Sequence, residues 1–169
     1  MSIILETERI LMREMTEADA EHLLELNRDP VVTRYIPGEP PLIDVAGALA
    51  VIRDRILPQY PRRLGRWACI LRDGGDFLGW CGVKHVPEQS EFDIGYRFSK
   101  PYWGKGYASE TATATLAYAR EHLANERVVG KAMPENVASV RVLEKIGLVY
   151  EGDEMVEGAL FRVYVMRPL

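Results

Sequence analysis

The sequence has few cysteines, and this excludes the simplest disulfide and metal frameworks. Cys69 and Cys81 are the two cysteines in 169 residues, and neither lies in a CxxC pair or in a His/Cys spacing typical of zinc sites. On one strand, Cys81 and His85 would lie about 13 Å apart at ~3.3 Å per residue, too far for a catalytic pair. We therefore expect both cysteines to be small buried hydrophobic residues, and we expect no metal.

The sequence also lacks an excess of positive charge and a long apolar run. The net charge of −4 and the pI of about 5.5 disfavour a general nucleic-acid-binding protein. No stretch approaches the ~20 apolar residues of a membrane span. Residues 1–14 mix Ile and Leu with Glu and Arg, unlike a signal peptide. We therefore expect a cytoplasmic protein with no nucleic-acid or membrane partner.

The composition that remains is ordinary for a globular protein. Hydrophobic residues make up 47% and charged residues 27% of the chain, which predicts a single domain over residues 1–169. The order of predicted elements indicates a mixed α/β (α+β) fold with helices packed on a sheet. The hydrophobic patterns predict strand 2–15, helices to about 27 and from 42 to 57, strands 66–72, 77–85 and 92–98, helix 107–122, strand 128–133, helix 138–146, and strands 148–152 and 161–166.

The segment from Tyr102 to Glu110 joins a predicted strand to a predicted helix. Gly104 and Gly106 let the backbone turn sharply and approach a ligand closely, and Lys105 adds a positive charge. The N–H groups and the dipole at the start of the helix favour an anion, so the segment predicts a phosphate or pyrophosphate site. The spacing fits neither a Walker A loop nor a Rossmann fingerprint, which needs a third glycine where Ser109 stands.

Two motifs, in this order of elements, resemble the GNAT superfamily of acetyl-CoA-dependent N-acetyltransferases. The family's loop Arg/Gln-x-x-Gly-x-Gly/Ala is similar to Trp103-Gly104-Lys105-Gly106-Tyr107-Ala108, with Trp103 at the Arg/Gln position. The family's second motif has Asn, a Tyr seven residues later and Lys-x-Gly-Phe. Here the matching residues are Asn136, Lys145, Gly147 and Leu148, with Leu143 at the Tyr position. Both departures resemble the RimJ/RimL branch, which acetylates the α-amino groups of ribosomal proteins and includes many enzymes that act on small amines.

The resemblance implies a fold and an activity. A GNAT-like fold has a mostly antiparallel central sheet with helices on both faces. The implied enzyme moves an acetyl group from acetyl-CoA to a primary amine by direct attack, and the amine is a protein N-terminal α-amine or a small-molecule amine. The resemblance also allows a homodimer formed through the last strands. A catalytically silent acyl-CoA-binding sensor or interaction module is the alternative function, and transfer of another acyl group stays open.

The resemblance also implies roles for residues that hold the cofactor. The N–H groups of residues 103–109 would surround the pyrophosphate, and the N–H of Phe98 would polarise the thioester carbonyl. Asn136 either bonds the pantetheine or phosphate region or caps its helix. Glu110 is expected to be structural, because an acid there complements the helix dipole. The predicted cofactor-binding residues are Phe98, Trp103, Gly104, Lys105, Gly106, Tyr107, Ala108, Ser109 and Asn136.

Ser139 and Asp93 are the predicted catalytic residues. Ser139 lies one turn before Leu143 on the same helical face. Its hydroxyl would hydrogen-bond the departing sulfur, which needs little acid because a thiol pKa is about 8.5; the alternative is a bond to the helix backbone. Asp93 shares a strand face with Gly95 and Arg97, and Gly95 is expected to leave open space for an amine. A surface pair between Asp93 and Arg97 is the alternative.

Overall fold

An eight-stranded sheet forms the centre of the fold in the computed structural model, which describes residues 2–168. The strands lie in the order β1-β2-β3-β4-β5-β6-β8-β7. All neighbouring strands are antiparallel except β5 and β6, which are parallel. The strands are β1 Ile3–Glu6, β2 Ile10–Arg13, β3 Gly65–Leu71, β4 Phe77–Val86, β5 Glu91–Phe98, β6 Val128–Ala132, β7 Val149–Val156 and β8 Ala159–Val165.

Helices pack on both faces of this sheet, so the predicted mixed, mostly antiparallel fold is confirmed. The α-helices are α1 Ala20–Arg28, α2 Pro30–Thr33, α3 Val45–Val51, α4 Tyr107–His122 and α5 Val137–Lys145. Helices α4 and α5 share one core with the sheet, and α1 and α3 share another. The helices described between residues 2 and 168 are all too short or too polar to cross a membrane.

Three predicted elements are wrong in extent. The strand predicted over 148–152 continues to Val156, and the other two differ because of local residues. The first strand is a hairpin: Thr7 N–H donates to the Ile10 carbonyl at 2.8 Å and Thr7 Oγ1 accepts from Ile10 N–H at 3.0 Å. Instead of running from 42 to 57, α3 begins after Asp44, whose side chain accepts from Gly47 N–H at 2.8 Å. It gives way to a π-helical segment, Ile52–Ile56, and a 3-10 helix, Leu57–Arg62, where Pro58 cannot donate to a regular helix.

Small side chains on α4 bring this helix close to β4 and β5. Ala112, Thr115 and Ala119 are all 0% exposed, and the Thr115 hydroxyl lies 3.4 Å from Cys81 Sγ. Cys69 and Cys81 are both fully buried, as predicted. Burial raises the pKa of both thiols, so they are protonated, inert core groups.

A gap opens between the two parallel strands. Strands β5 and β6 pair at Phe92 with Val128 and at Asp93 with Val129. Beyond Asp93, β5 continues to Phe98 along β4, whereas β6 turns to pair with β8. The second half of β5 therefore has a backbone edge without a strand partner on the β6 side. An unpaired strand edge is available to an extended ligand.

Candidate active site

The glycine loop ends in an open helix N-terminus. Gly104 has a φ of +72° and Gly106 a φ of +82°, conformations that residues with a Cβ rarely adopt. Gly106 is the N-cap of α4, and the N–H groups of the first turn, from Tyr107 to Ser109, have no intrahelical acceptor. A Cβ built on Gly104 has no heavy atom within 4 Å. The loop therefore offers N–H donors that suit a phosphate, next to the exposed backbone of residues 104–106.

Arg9, which sequence reasoning missed, bonds both the glycine loop and the first turn of α4. Its Nη1 donates to the Lys105 carbonyl at 3.0 Å, and its Nη2 lies 2.6 Å from Glu110 Oε2. Thr7 Oγ1 also donates to Glu110 at 2.6 Å, which supports the structural role predicted for that residue. In a trans peptide the N–H points away from the carbonyl, so fixing the Lys105 carbonyl also fixes the direction of the Gly106 N–H.

An open groove of about 520 Å³ runs beside the loop. Lys145 from α5 lines it together with Gly106 and Ser109, so α5 adds a cation to the N–H donors of α4. This donor set fits the diphosphate of a nucleotide-type cofactor. The groove is also lined by Thr7, Arg9, Glu110, Thr113, Ala114 and Ala117.

Phe98 directs its backbone groups into the gap beside β5. Ser99 N–H donates to the Leu78 carbonyl of β4 at 2.9 Å. Successive residues of a strand direct their N–H groups to opposite edges, so the Phe98 N–H faces the β6 side. The indole of Trp103 donates to the Phe98 carbonyl at 2.7 Å. Trp103 therefore ties the glycine loop to the end of β5 and leaves the Phe98 N–H available. The backbone N–H of Trp103, which was predicted to face the pyrophosphate, instead donates to the Lys100 carbonyl at 3.1 Å.

A cavity of about 280 Å³ lies between β5, β6 and α5. It brings together three predicted site residues, Asp93, Asn136 and Ser139, which are distant in the sequence. Among residues 2–168, no group of three or more His, Cys, Asp and Glu side chains is placed to hold a metal ion. The cavity is also lined by Tyr35, Ile36, Pro37, Trp80, Ile94, Gly95, Tyr96, Arg97, Lys131, Ala132, Met133, Leu143, Val156 and Phe161.

Ser139 is held by side chains from two elements. Asn136 caps α5, with Oδ1 accepting from Ser139 N–H at 3.3 Å. The Tyr96 hydroxyl lies 2.8 Å from Ser139 Oγ and 3.1 Å from the Ser139 carbonyl. Burial raises the pKa of Tyr96, although the bond to Ser139 opposes this, so the phenol stays protonated at neutral pH. The sequence signal for Tyr96 was its alternation with Phe98, which places both side chains on one face of β5.

Leu143 fills the position where the family motif has a tyrosine. Its side chain is 1% exposed and packs on β6 at Gly130, where an added Cβ would lie 2.6 Å from Leu143 Cδ2. This residue is therefore part of the core beneath the cavity, and a hydroxyl group for the site must come from elsewhere.

Asp93 has a different environment from the one expected. Its Oδ2 accepts from Arg66 Nη2 at 2.5 Å, and the same guanidinium covers Gly95, where a Cβ would lie 2.7 Å from Arg66 Nη2. The expected open space beside Gly95 is thus wrong. The alternative pair with Arg97 is wrong too, because Arg97 lies 2.7 Å from Glu39. The hydrogen bonds within residues 2–168 engage Oδ2 of Asp93 and leave Oδ1 without a protein donor.

Comparison with known proteins agrees with this geometry. The family described as "Acetyltransferase (GNAT) domain" matches residues 9–149. The uncharacterized N-acetyltransferase p20 of Bacillus licheniformis is 30% identical over 94% of this chain and 92% of its own length. A GNAT-family acetyltransferase from Bacillus anthracis is 27% identical, with a TM-score of 0.78 over 98% of this chain and 96% of its own. RimL, a ribosomal L7/L12 α-N-protein acetyltransferase solved with coenzyme A, shares the fold, with a TM-score of 0.80 at 16% identity over 99% and 98% of the two chains.

Proposed function

Because the chain belongs to the GNAT acetyltransferase family and is an N-acetyltransferase, we propose that it transfers an acetyl group from acetyl-CoA to a primary amine by direct attack. One observation carries this proposal: β5 runs from the cavity that holds Asp93 and Ser139 through Phe98 into the glycine loop. An acyl donor bound at the loop would therefore present its reactive end to the cavity.

The chain's own groups suit the binding of acetyl-CoA, which supplies the activated acetyl thioester when bound. The N–H groups of Gly104 to Ser109 and the side chain of Lys145 would hold the phosphates. The free edge of β5 would pair with the pantetheine arm like an added strand. The Phe98 N–H would donate to the thioester carbonyl, and a fixed backbone donor of this kind is often the largest single contribution to catalysis.

Ser139 would keep a proton at Oγ close to the departing sulfur. Tyr96 has two acceptors at Ser139 within 3.1 Å, the hydroxyl and the carbonyl. When the Ser139 O–H turns to the sulfur, the Tyr96 O–H donates to Ser139 Oγ and fixes its orientation. The raised pKa of the phenol disfavours transfer of its proton. Tyr96 would therefore act by donating a hydrogen bond that orients Ser139.

Asp93 would attract and orient the acceptor in its ammonium form. Its side chain is 21% exposed, and Oδ1 is left for an amine while Oδ2 remains on Arg66. A carboxylate that is held in an ion pair with an arginine is a weak base for an amine whose pKa is near 8. Asp93 is therefore better suited to orient the ammonium group of the acceptor, which would then lose its proton to water.

We expect Asp93→Asn to raise KM for the amine and to lower kcat/KM most below pH 8, where the acceptor is largely ammonium. The measurement is a pH profile of kcat/KM for both proteins with one verified acceptor. Asp73→Asn, an exposed carboxylate in the β3–β4 turn, is the matched control and should leave the profile unchanged. Superimposable profiles for Asp93→Asn and wild type would show that Asp93 only pairs with Arg66.

We further propose that the acceptor amine is an α-amine, as in the RimJ/RimL branch that the two sequence motifs resemble. Such an amine has a pKa near 8 and needs little help from a base at neutral pH, which fits a site whose nearest carboxylate is already ion-paired. The test is release of CoA thiol with a panel of N-terminal peptides, amino acids, polyamines and aminoglycosides. Cofactor binding without amine-dependent thiol release would favour the catalytically silent alternative.

We also propose a homodimer formed through β7 and β8. Strand β7 is a sheet edge, and this hairpin exposes several large apolar side chains, which is typical of an interface. Analytical ultracentrifugation at micromolar concentration should show twice the mass of the chain, and a monomer under those conditions would contradict this proposal. The exposed apolar residues are Val149, Tyr150, Met155 and Leu160.

A further inference from the structure

Three cations from β3, β4 and β5 and one from the segment Ile52–Ile56 lie close together beside the cavity, and one of them, Arg97, lines it. The guanidinium groups of Arg66 and Arg97 lie over the Trp80 ring, 4.9 and 5.3 Å from its centroid. Burial lowers the pKa of Lys84, and the neighbouring Arg66 and Arg55 lower it further. These positive charges therefore repel one another in a partly desolvated environment. The cationic cluster consists of Arg55, Arg66, Lys84 and Arg97.

The cationic cluster has fewer carboxylates than cations. Asp93 lies 2.5 Å from Arg66 and Glu39 lies 2.7 Å from Arg97, whereas Lys84 and Arg55 form no salt bridge within the described part of the chain. Two positive charges are thus left without an ion-pair partner, although the whole chain has a net charge of −4. Local positive charge in an acidic protein indicates attraction of an anion to this side of the cavity.

The other cation that lines the cavity provides a contrast. Lys131 Nζ lies 2.5 Å from Glu91 and 2.9 Å from Glu154, so its charge is balanced by two carboxylates. The surplus positive charge therefore lies beside the cavity on the side that Arg97 lines, and not on the side of Lys131.

Arg97 has an unused donor inside this cluster. Its side chain is 9% exposed and lines the cavity. Its Nη1 donates to Asn27 and its Nη2 to Glu39, but the buried Nε has no hydrogen-bond partner among residues 2–168. Buried donors are nearly always paired in folded proteins, so an unpaired one points to a missing ligand. The Nε–Nη2 edge of an arginine matches both oxygens of a carboxylate, and Glu39 is bonded only to Nη2.

We propose that the acceptor carries a carboxylate close to its amine, and that this carboxylate binds the Nε–Nη2 edge of Arg97 in place of Glu39. The inference rests on the proposed acetyl transfer to an amine. Glu39 belongs to the irregular segment 34–44 between α2 and α3 and is 31% exposed, so it can leave without disturbing the sheet. Amino acids and peptides with an acidic residue near the N-terminus fit this site, whereas polycationic amines do not.

Matched acceptors test the charge requirement directly. An α-amino acid is compared with its amide, and a Ser-Glu peptide amide with the Ser-Gln peptide amide, by kcat/KM and by calorimetric binding in the presence of CoA. The anionic member of at least one pair is expected to be favoured by about tenfold or more, because the neutral member cannot form the charge-assisted hydrogen bond to Arg97. No preference for the anionic member in either pair, by either measurement, overturns the inference.

Three variants assign that preference to Arg97. Arg97→Gln should abolish it, with a loss of about 30-fold or more for the anionic acceptor. Glu39→Gln removes the competing carboxylate and should tighten binding of the same acceptor, an opposite effect that general destabilisation cannot produce. Arg53→Gln, which removes an exposed cation paired with Glu17, should change neither the preference for the anionic acceptor nor its binding affinity. Equal preference in wild type and Arg97→Gln, or weaker binding in Glu39→Gln, would contradict the assignment.

The outcome separates this inference from the proposed function. Acetylation of neutral and anionic acceptors at equal rates overturns the carboxylate requirement and leaves the acetyltransferase proposal standing. A binding preference for the anionic member without any acetylation supports the carboxylate site and contradicts acetyl transfer to these amines.

Discussion

Replacing Gly106 by valine is expected to abolish binding of acetyl-CoA while the chain remains folded. Gly106 has a φ of +82°, and this backbone conformation costs about 1–2 kcal/mol for a residue with a Cβ. A Cβ at this position would lie 3.4 Å from Arg9 Nη2, and the valine methyl groups would press on the arginine that fixes the Lys105 carbonyl. The same side chain would cover the N–H groups that are proposed to bind the phosphates. Calorimetry should show that Kd rises at least about 100-fold, a loss of ~2.7 kcal/mol.

Gly75→Val separates backbone strain from loss of the site. Gly75 has a φ of +77°, and a Cβ there meets no heavy atom within 4 Å, so it matches Gly106 in conformation but lies in the remote β3–β4 turn. It should lower the free energy of unfolding by about 1–2 kcal/mol and leave Kd unchanged.

Arg9→Ala should weaken cofactor binding less than Gly106→Val, because it loosens the loop without blocking it. Equal affinity of Gly106→Val and wild type would contradict the assignment of the loop to the cofactor.

Ser139→Ala is expected to lower kcat about 10- to 1000-fold with little change in Kd for acetyl-CoA. The loss is limited because a thiolate leaves readily, and it falls on kcat because the hydroxyl is needed when the sulfur departs. The measurement is a single-turnover rate under conditions where chemistry limits turnover, together with calorimetry of the cofactor. An unchanged single-turnover rate would mean that Ser139 only bonds Tyr96 and the helix backbone.

Two further variants distinguish a chemical role of Ser139 from a structural one. Ser139→Thr keeps a hydroxyl at the same position and should retain most of the rate. Tyr96→Phe removes the group 2.8 Å from Ser139 Oγ and should give an intermediate rate, because the serine hydroxyl remains but is no longer oriented. A rate of Tyr96→Phe equal to that of wild type would show that Tyr96 does not orient the donor.

Local sequence determined the elements that surround the site. The bounds of α4, 107 and 122, agree with the prediction because the helix period and the glycine before it are properties of consecutive residues. The capping role that was one of two alternatives for Asn136 is likewise decided within one turn of α5. Strands β3 to β5, predicted at 66–72, 77–85 and 92–98, form an antiparallel series because short turns leave neighbouring strands no other arrangement.

Tertiary structure decided which side chains meet. Arg9 bonds Glu110 across 101 residues, Tyr96 bonds Ser139 across 43 and Arg66 bonds Asp93 across 27. The last pair depends on the register of three strands, which aligns Arg66 with Gly82 and Gly82 with Gly95, so the guanidinium donates to the Gly82 carbonyl and lies over Gly95. Sequence alone identified Gly95 as a position without a side chain but not the residue that covers it. A strand pattern specifies the face on which a residue lies, whereas the partner from the next strand depends on how the whole sheet is assembled.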